Sequence, residues 1–251
     1  EIIDIPRPVV SRVSSKPRVS ITELPRRKAD CIPCKERKNM RPLKWSYGVT
    51  TVSERLSTYL PVTLKSLGAA GFDKPRLFVD GANHKDNRWD HFGLEVTLRT
   101  PKVRTFGNWI LALWELLLRE PVADRYAIFQ DDILACKGLR EYLDSCSYPG
   151  NGYLNLCTYP QNQDIAPKEP GWFLSNQRGR GAQGLVFSRE AVGVILSSTY
   201  MIERARDEKK GWKNVDGGIV SAFRKIGWRE YCHNPSLIDH VGDKSSMGNR
   251  R

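Results

Sequence analysis

Apolar and polar residues alternate along this chain in a pattern that predicts short strands separated by helices. Residues 45–52, "WSYGVTTV", are rich in β-branched and aromatic side chains. Residues 76–81, "RLFVDG", and 126–129, "YAIF", are apolar runs of strand length. Leucines at helical spacing predict a helix over residues 53–71, with Ser53 as its N-cap.

The rest of the chain continues this alternation. Pro61 falls inside the first predicted helix, which is therefore kinked or broken. Residues 105–120, "TFGNWILALWELLLRE", predict a helix that is apolar on most of its circumference and thus buried. Strands are predicted in "GYLNLCTY" and "GAQGLVF", and helices in "REAVGVILSST", capped by Ser188, and in "NVDGGIVSAFRKIG". The alternation predicts an α/β fold, with a doubly wound, mainly parallel sheet and flanking helices.

The first 44 residues differ in composition from the remainder. They contain several prolines without sustained periodicity, and hold 12 of the 40 Lys and Arg but only 5 of the 28 Asp and Glu. We therefore predict an extended basic N-terminal arm over residues 1–44 and one folded domain over residues 45–251. Such an arm, in a chain of net charge +12, suits contact with phosphate backbones or acidic membrane surfaces, or simple solvation.

The arm also contains a close cysteine pair, Cys31 and Cys34, in the spacing C-x-x-C. This spacing supplies half of a structural Zn²⁺ site or a redox pair. A full zinc site needs two more ligands, which His84, His91 or another cysteine would supply through space, or which another subunit would supply. A disulfide and two free thiols are also compatible with the spacing.

Several classes of function are disfavoured by what the sequence lacks. No apolar run reaches 18 residues, so no membrane-spanning segment is predicted, although the start at Glu1 leaves an upstream signal or anchor open. There is no P-loop, no G-x-G-x-x-G after the first strand and no G-x-S-x-G elbow. The glycine-rich "GRGAQG" precedes a strand, and its small residues permit close approach of a ligand or a neighbouring chain segment.

Asp131 and Asp132 directly follow the apolar strand "YAIF" and one glutamine. Adjacent buried carboxylates repel each other and lose hydration, so the pair needs a compensating partner. Mg²⁺ or Mn²⁺ would supply the charge and would bridge to the phosphates of a nucleotide. The alternative is an exposed pair at the start of a helix in "DDIL". Asp80 ends another predicted strand, and ligands of doubly wound sheets bind at such ends.

Four motifs in this order resemble the GT-A family of nucleotide-sugar glycosyltransferases over residues 45–247. The segment "GVTTVSERLSTYLPVTLKSLGAAGF" is similar to the family's first strand and helix, and "FQDDI" to its D-x-D-type metal motif. "NVDGGIVSAF" resembles the segment that presents a carboxylate to the acceptor. "HNPSLIDHVGDKSSMG" is similar to the ending of some N-acetylglucosaminyltransferases and of related bacterial and phage enzymes. The resemblance implies a metal-dependent transferase, using a nucleotide-sugar such as a UDP-sugar.

The resemblance also implies roles for individual residues. Asp132 and His240 would bind Mn²⁺ or Mg²⁺, with Asp131 beside them. The residues expected to contact the donor are Thr50, Thr51, Arg55, Asp80, Asn108, Asp131, Lys244, Ser245 and Ser246. Trp109, next to Asn108, is either a donor contact or plain core.

Asp216 is the candidate catalytic base of an inverting transferase. It would take the proton from an acceptor hydroxyl as that oxygen attacks the anomeric carbon. The structural alternative is that Asp216 only caps the helix that follows it. A retaining enzyme would not need this base, so the stereochemistry stays open.

The acceptor is the least defined part of the prediction. Trp172, Phe173, Arg178 and Arg180 are the candidate acceptor contacts, because aromatic and Arg side chains stack on sugars and equally on bases and phosphates. With the basic arm, they suggest a phage-like enzyme that glycosylates a flipped-out hydroxymethylated base in double-stranded DNA. Such an enzyme would be cytoplasmic, in a bacterium or a phage-infected cell. The alternatives are a glycan, protein or small-molecule acceptor, or a non-catalytic nucleic-acid-binding module.

Overall fold

The computed structural model describes residues 41–83, 85–204 and 215–241. Several residues singled out in the sequence lie outside the described residues, namely Cys31, Cys34, His84, Lys244, Ser245 and Ser246. The same holds for residues 1–40, which form most of the predicted arm.

An eight-stranded sheet forms the centre of the described chain. Its strands, in spatial order, are β3 (Val96–Arg99), β2 (Arg76–Asp80), β1 (Trp45–Val52), β4 (Arg125–Gln130), β8 (Gly184–Ser188), β6 (Gly152–Asn155), β9 (Arg229–Asn234) and β7 (Gly171–Leu174). The first four run parallel, as do β6 and β9, while β8 and β7 are antiparallel to their neighbours. The mainly parallel sheet is therefore confirmed. The antiparallel direction of β8 and β7 was not predicted.

Helices cover both faces of this sheet. They are α1 (Tyr59–Ala69), α2 (Arg104–Arg119), α3 (Leu139–Ser145), α4 (Pro160–Gln163), α5 (Arg189–Ser197), α6 (Thr199–Arg204) and α7 (Val215–Lys225), with short 3₁₀ turns at Ser53–Arg55 and Asn87–Phe92. One apolar cluster includes side chains of α1 and α3, and a second includes those of α2, α5 and α7. Alternate residues of β4 enter the two clusters, as the twofold period of a strand requires. The predicted doubly wound α/β arrangement is confirmed.

The predicted helix over residues 53–71 is interrupted before its proline. A 3₁₀ turn at Ser53–Arg55 precedes α1, in which Pro61 is the third residue. The first backbone N–H groups of a helix have no partner within it, so proline is tolerated there. Ser53 was predicted as N-cap and is not, because it lies inside the 3₁₀ turn. The other predicted cap is confirmed, since the Ser188 hydroxyl accepts a hydrogen bond from the Ala191 N–H at 3.1 Å.

A separate two-stranded pairing closes one corner of the fold. Strand β5 (Ile133–Ala135) pairs antiparallel with β10 (Ile238–His240), so that His240 lies opposite Ile133. The Val241 N–H extends the pairing by donating to the Asp132 carbonyl at 2.9 Å. The aspartate pair is thus followed by a strand, which excludes its alternative role as the start of a helix.

Within residues 41–83, 85–204 and 215–241, no helix is long and apolar enough to cross a bilayer.

Candidate functional site

Asp131 and Asp132 lie between β4 and β5, at the carboxyl end of β4. Their relative exposures are 4% and 3%. The Thr63 hydroxyl of α1 donates to the Asp131 carbonyl at 2.9 Å and accepts from the Ile133 N–H at 3.0 Å. The turn that carries both carboxylates is therefore held in place from the neighbouring helix. Thr63 was missed in the sequence, where it is an ordinary helical threonine.

The Asp131 carboxylate is held by two residues at the carboxyl end of β1. The Thr51 hydroxyl donates to one of its oxygens at 2.5 Å, and the Arg55 guanidinium contacts the other at 2.5 Å. Burial raises the pKa of Asp131, while the Arg55 charge and the Thr51 hydrogen bond act to lower it. Both oxygens of Asp131 are therefore engaged within the protein.

Asp132 differs from Asp131, because only one of its two carboxylate oxygens has a partner among the described residues. Its Oδ2 lies 2.6 Å from Arg55 Nη1 and 2.9 Å from His240 Nε2. Its Oδ1 is buried and has no hydrogen-bond partner within the described residues. A carboxylate with one orphaned oxygen, whose other oxygen contacts an imidazole, suits Mn²⁺ or Mg²⁺, so the residues present fit a divalent cation.

Arg55 is the counter-ion of the aspartate pair in this structure. One nitrogen of its guanidinium contacts both carboxylates, and its side chain is largely buried. In the described part of the chain, no group of three or more His, Cys, Asp or Glu side chains is arranged to hold a metal. Two protein ligands nonetheless suffice where phosphates supply the remainder, as is common for Mg²⁺.

The other predicted donor residues lie at the same edge of the sheet but differ in exposure. The Thr50 hydroxyl is half-buried and donates to the Phe129 carbonyl at 3.3 Å. The Asp80 carboxylate is buried and accepts from the Val103 N–H at 2.7 Å, just before α2. Both side chains are thus part of the framework at the ends of β1 and β2.

Asn108 and Trp109 belong to the core instead. The Asn108 amide donates to the Phe78 carbonyl at 2.9 Å and accepts from Arg99 Nε at 2.9 Å. The Trp109 ring is buried against Phe187. The donor and the acceptor of the Asn108 amide are both used within the protein. Trp109 lies in the core, which was one of its two predicted positions.

Asp216 lies in the first turn of α7. Its carboxylate accepts from the Gly181 N–H at 3.0 Å and from the Gly217 N–H at 3.1 Å. Burial raises the pKa of Asp216, whereas these two N–H groups and the Arg180 charge act to lower it. The Gly217 contact fits the structural alternative of a helix-start carboxylate. A raised pKa is also what a general base requires near neutral pH.

The segment that includes Arg180 and Gly181 connects Asp216 to the aspartate pair. The Gln183 carbonyl, two residues after Gly181, accepts from the Gln130 N–H at 2.8 Å. Gln130 immediately precedes Asp131. The glycines of "GRGAQG" permit close approach of a chain segment here, because a Cβ at Gly179 would lie 2.6 Å from the Asp216 carbonyl oxygen.

The predicted acceptor residues divide into buried and exposed side chains. The Trp172 indole is buried, donates to Cys146 Sγ at 3.5 Å and packs edge-on against His233. It therefore contributes to core packing in this structure. Phe173 is half-buried, and Arg178 and Arg180 are exposed.

Glu230, on β9, is a further acidic residue that sequence reasoning missed. Its carboxylate is 1% exposed and accepts hydrogen bonds from Tyr153, Asn155 and Ser175. The strand "REYCHN" is rich in polar residues, and nothing in that pattern marks this glutamate as buried.

The strands and helices have a GT-A-like arrangement, as the resemblance of the sequence motifs implied. Among solved structures, the chain is similar to a crystal structure of GalNAc-T7 with UDP, GalNAc and Mn²⁺, at a TM-score of 0.54 and 10% identity. The match covers 81% of this chain and 45% of that chain, so this chain spans less than half of its length. No protein-family model and no curated protein matches the sequence. At 10% identity, the similarity shows a shared fold and nothing beyond it.

Proposed function

We propose that this chain is a metal-dependent glycosyltransferase that moves a sugar from a UDP-sugar to a hydroxyl acceptor. One observation carries the proposal. Asp132, at the carboxyl end of a strand in a GT-A-like sheet, has a buried Oδ1 without a hydrogen-bond partner among the described residues, while its Oδ2 contacts the His240 imidazole. The solved structure of similar fold was crystallised with UDP and Mn²⁺, which supports the choice of donor and cation.

The proposed donor site combines cation ligands with residues that position them. Asp132 and His240 would hold Mn²⁺ or Mg²⁺, which when bound neutralises charge developing on the departing diphosphate. Asp131, whose carboxylate is held by Thr51 and Arg55, would lie beside the cation. Thr50, Asp80 and the ends of β1 and β2 would face the nucleoside. Lys244, Ser245 and Ser246, outside the described residues, would contact the diphosphate.

Asp216 supplies the proton acceptor in this proposal. As the acceptor oxygen forms its bond to the anomeric carbon, its proton passes to the Asp216 carboxylate and the bond from that carbon to the diphosphate oxygen breaks. UDP leaves with the bonding electrons. A single displacement of this kind inverts the anomeric configuration.

The donor half of the proposal is tested by ligand binding. A ligand that binds only the folded state raises the unfolding midpoint. We expect UDP to raise the midpoint strongly with Mn²⁺ and weakly with EDTA, and a panel of UDP-sugars to reveal the donor by hydrolysis. No shift with any nucleoside diphosphate would favour the non-catalytic binding module.

We further propose that the acceptor is a hydroxymethylated base in double-stranded DNA. This is supported by the exposed Arg178 and Arg180, of which Arg180 interacts electrostatically with Asp216, and by the net charge of +12. The test is transfer of labelled sugar to duplexes with and without hydroxymethylated bases, beside neutral glycans and peptides. Transfer only to the modified duplex supports a DNA acceptor, whereas transfer only to a glycan or peptide contradicts it.

The dual contact of Arg55 leads to a prediction on stability. Arg55→Met leaves two buried carboxylates without their counter-ion, and breaking such a contact costs about 3–5 kcal/mol. We expect that loss in the free energy of unfolding in EDTA, and a clearly smaller loss with saturating Mn²⁺, which restores positive charge. Urea unfolding under both conditions measures it.

Arg41→Met is the matched control for this experiment. Arg41 forms an exposed ion pair with Asp124 at 2.8 Å, and its removal should cost at most about 1 kcal/mol, with or without Mn²⁺. An equal loss for Arg55→Met in EDTA and in Mn²⁺ would mean that the cation does not take over the role of the guanidinium.

A further inference from the structure

Glu230 is a buried carboxylate to which the proposed mechanism gives no role. Its Oε1 accepts from the Tyr153 hydroxyl at 2.8 Å and from Asn155 Nδ2 at 3.1 Å, and its Oε2 accepts from the Ser175 hydroxyl at 2.6 Å. All three partners donate, so they fit the ionised carboxylate. A buried charge with this many donors is costly to build and fixes its surroundings.

The network around Glu230 extends to the segment that contacts Asp216. The Asn155 amide that donates to Glu230 also donates to the Arg180 carbonyl at 2.8 Å. The next residue, Gly181, donates its N–H to the Asp216 carboxylate at 3.0 Å. Three consecutive hydrogen-bonded steps thus link Glu230 to the candidate base.

The Glu230 backbone fixes the same segment at its other end. Gln177 donates to the Glu230 carbonyl at 2.8 Å and accepts from its N–H at 3.1 Å. Ser175 donates its N–H to the same carbonyl at 3.1 Å. Between these contacts, Gly179 has a φ of +67° and lies against the Asp216 backbone, where no side chain fits. Residues 175–181 are therefore held at one end by direct contacts with Glu230 and at the other end through Asn155, which donates to both Glu230 and the Arg180 carbonyl.

The two carboxylates also interact electrostatically. Burial raises the pKa of Glu230 first of all, and the Asp216 charge raises it further. This repulsion is mutual, so the Glu230 charge favours the protonated form of Asp216. Among the described residues, the charged and titratable groups that interact electrostatically with Asp216 include Arg180, Glu230 and Tyr153.

We propose that Glu230 is a positioning residue, which holds residues 175–181 against Asp216 and so sets the geometry of the catalytic base. The inference rests on the proposed function. It assigns the acceptor side of the site a buried support that is separate from the aspartate pair on the donor side.

Glu230→Gln tests this proposal, because it keeps the shape and an acceptor oxygen for Asn155 while removing the charge. We expect the Kd for UDP with Mn²⁺ to stay within about twofold and kcat to fall about 10- to 100-fold, since small displacements of a catalytic group are costly. The acid limb of the pH profile should move to lower pH, because loss of a neighbouring negative charge lowers the pKa of Asp216. Hydrogen exchange in residues 175–181 should become faster.

Glu190→Gln is the matched control, since Glu190 is exposed at the start of α5, and it should change none of these quantities. Ser175→Ala removes one donor to Glu230 together with the hydroxyl that accepts from Gln177, and should give smaller changes in the same direction if Glu230→Gln does not fold. Unchanged kcat, pH limb and exchange in an active enzyme would overturn the proposal. A wild type without transfer would contradict the proposed function instead, and faster exchange in Glu230→Gln would still support the anchoring.

Discussion

Asp132→Ala is expected to abolish Mn²⁺-dependent binding of UDP in a protein that remains folded. Asp132 has the buried carboxylate oxygen without a hydrogen-bond partner among the described residues, and its other oxygen contacts His240. Its removal therefore takes away the main proposed ligand of the cation. The fold should survive because Arg55 then pairs with Asp131 alone. A cation at a leaving group contributes several kcal/mol, so we expect transfer to fall by about 10³-fold or more.

Calorimetric titration of UDP with Mn²⁺ and with EDTA measures this effect directly. Asp164→Asn, at an exposed carboxylate beyond α4, should bind as the wild type does. Asp132→Asn, which preserves volume, should lose Mn²⁺ dependence as Asp132→Ala does. If either Asp132 variant kept wild-type Mn²⁺-dependent affinity for UDP, the cation would have to bind elsewhere.

Asp216→Asn should separate donor binding from transfer. Asn keeps an oxygen for one of the two backbone N–H donors but cannot accept the acceptor proton. Loss of a general base typically costs 10²- to 10⁴-fold, so we expect transfer to fall by about that factor, with the UDP affinity in Mn²⁺ unchanged. Single-turnover transfer and UDP titration of the same preparation give both numbers.

The raised pKa of Asp216 adds a pH dependence to this prediction. The base acts in its ionised form, so kcat/KM should rise as the pH increases through a pKa above the ordinary Asp range. That limb should be absent in Asp216→Asn. If the limb persists and the first product retains the donor's anomeric configuration, the enzyme is retaining and Asp216 serves only the helix.

The patterns predicted strands and helices accurately where short stretches of sequence determine them. Strand β1 matches its predicted range at both ends, since residues 45–52 combine strand-forming side chains with a following turn. Strands β5 and β10 have only three residues each, and their pairing joins positions about a hundred residues apart. No periodicity can show such a contact. The antiparallel direction of β8 depends on its chain path for the same reason.

Burial explains most of what the sequence could not provide at the site. The sequence shows the same residue type whether a side chain lines a pocket or lies in the core. Only the structure shows that the Asn108 amide and the Trp172 indole lie in the core. Arg55 was expected to contact the donor, and the structure places its guanidinium on the two carboxylates. The Asp132–His240 contact was implied by the family resemblance alone.

The pairing of β5 with β10 makes the site sensitive to the spacing between β9 and His240. Successive side chains of a strand point to opposite faces, so inserting one residue in the short link 235–237 would turn the imidazole away from Asp132. Deleting everything from residue 238 onwards would remove that imidazole and leave the edge of β5 open. The function of the site therefore depends on keeping the link to β10 at its native length.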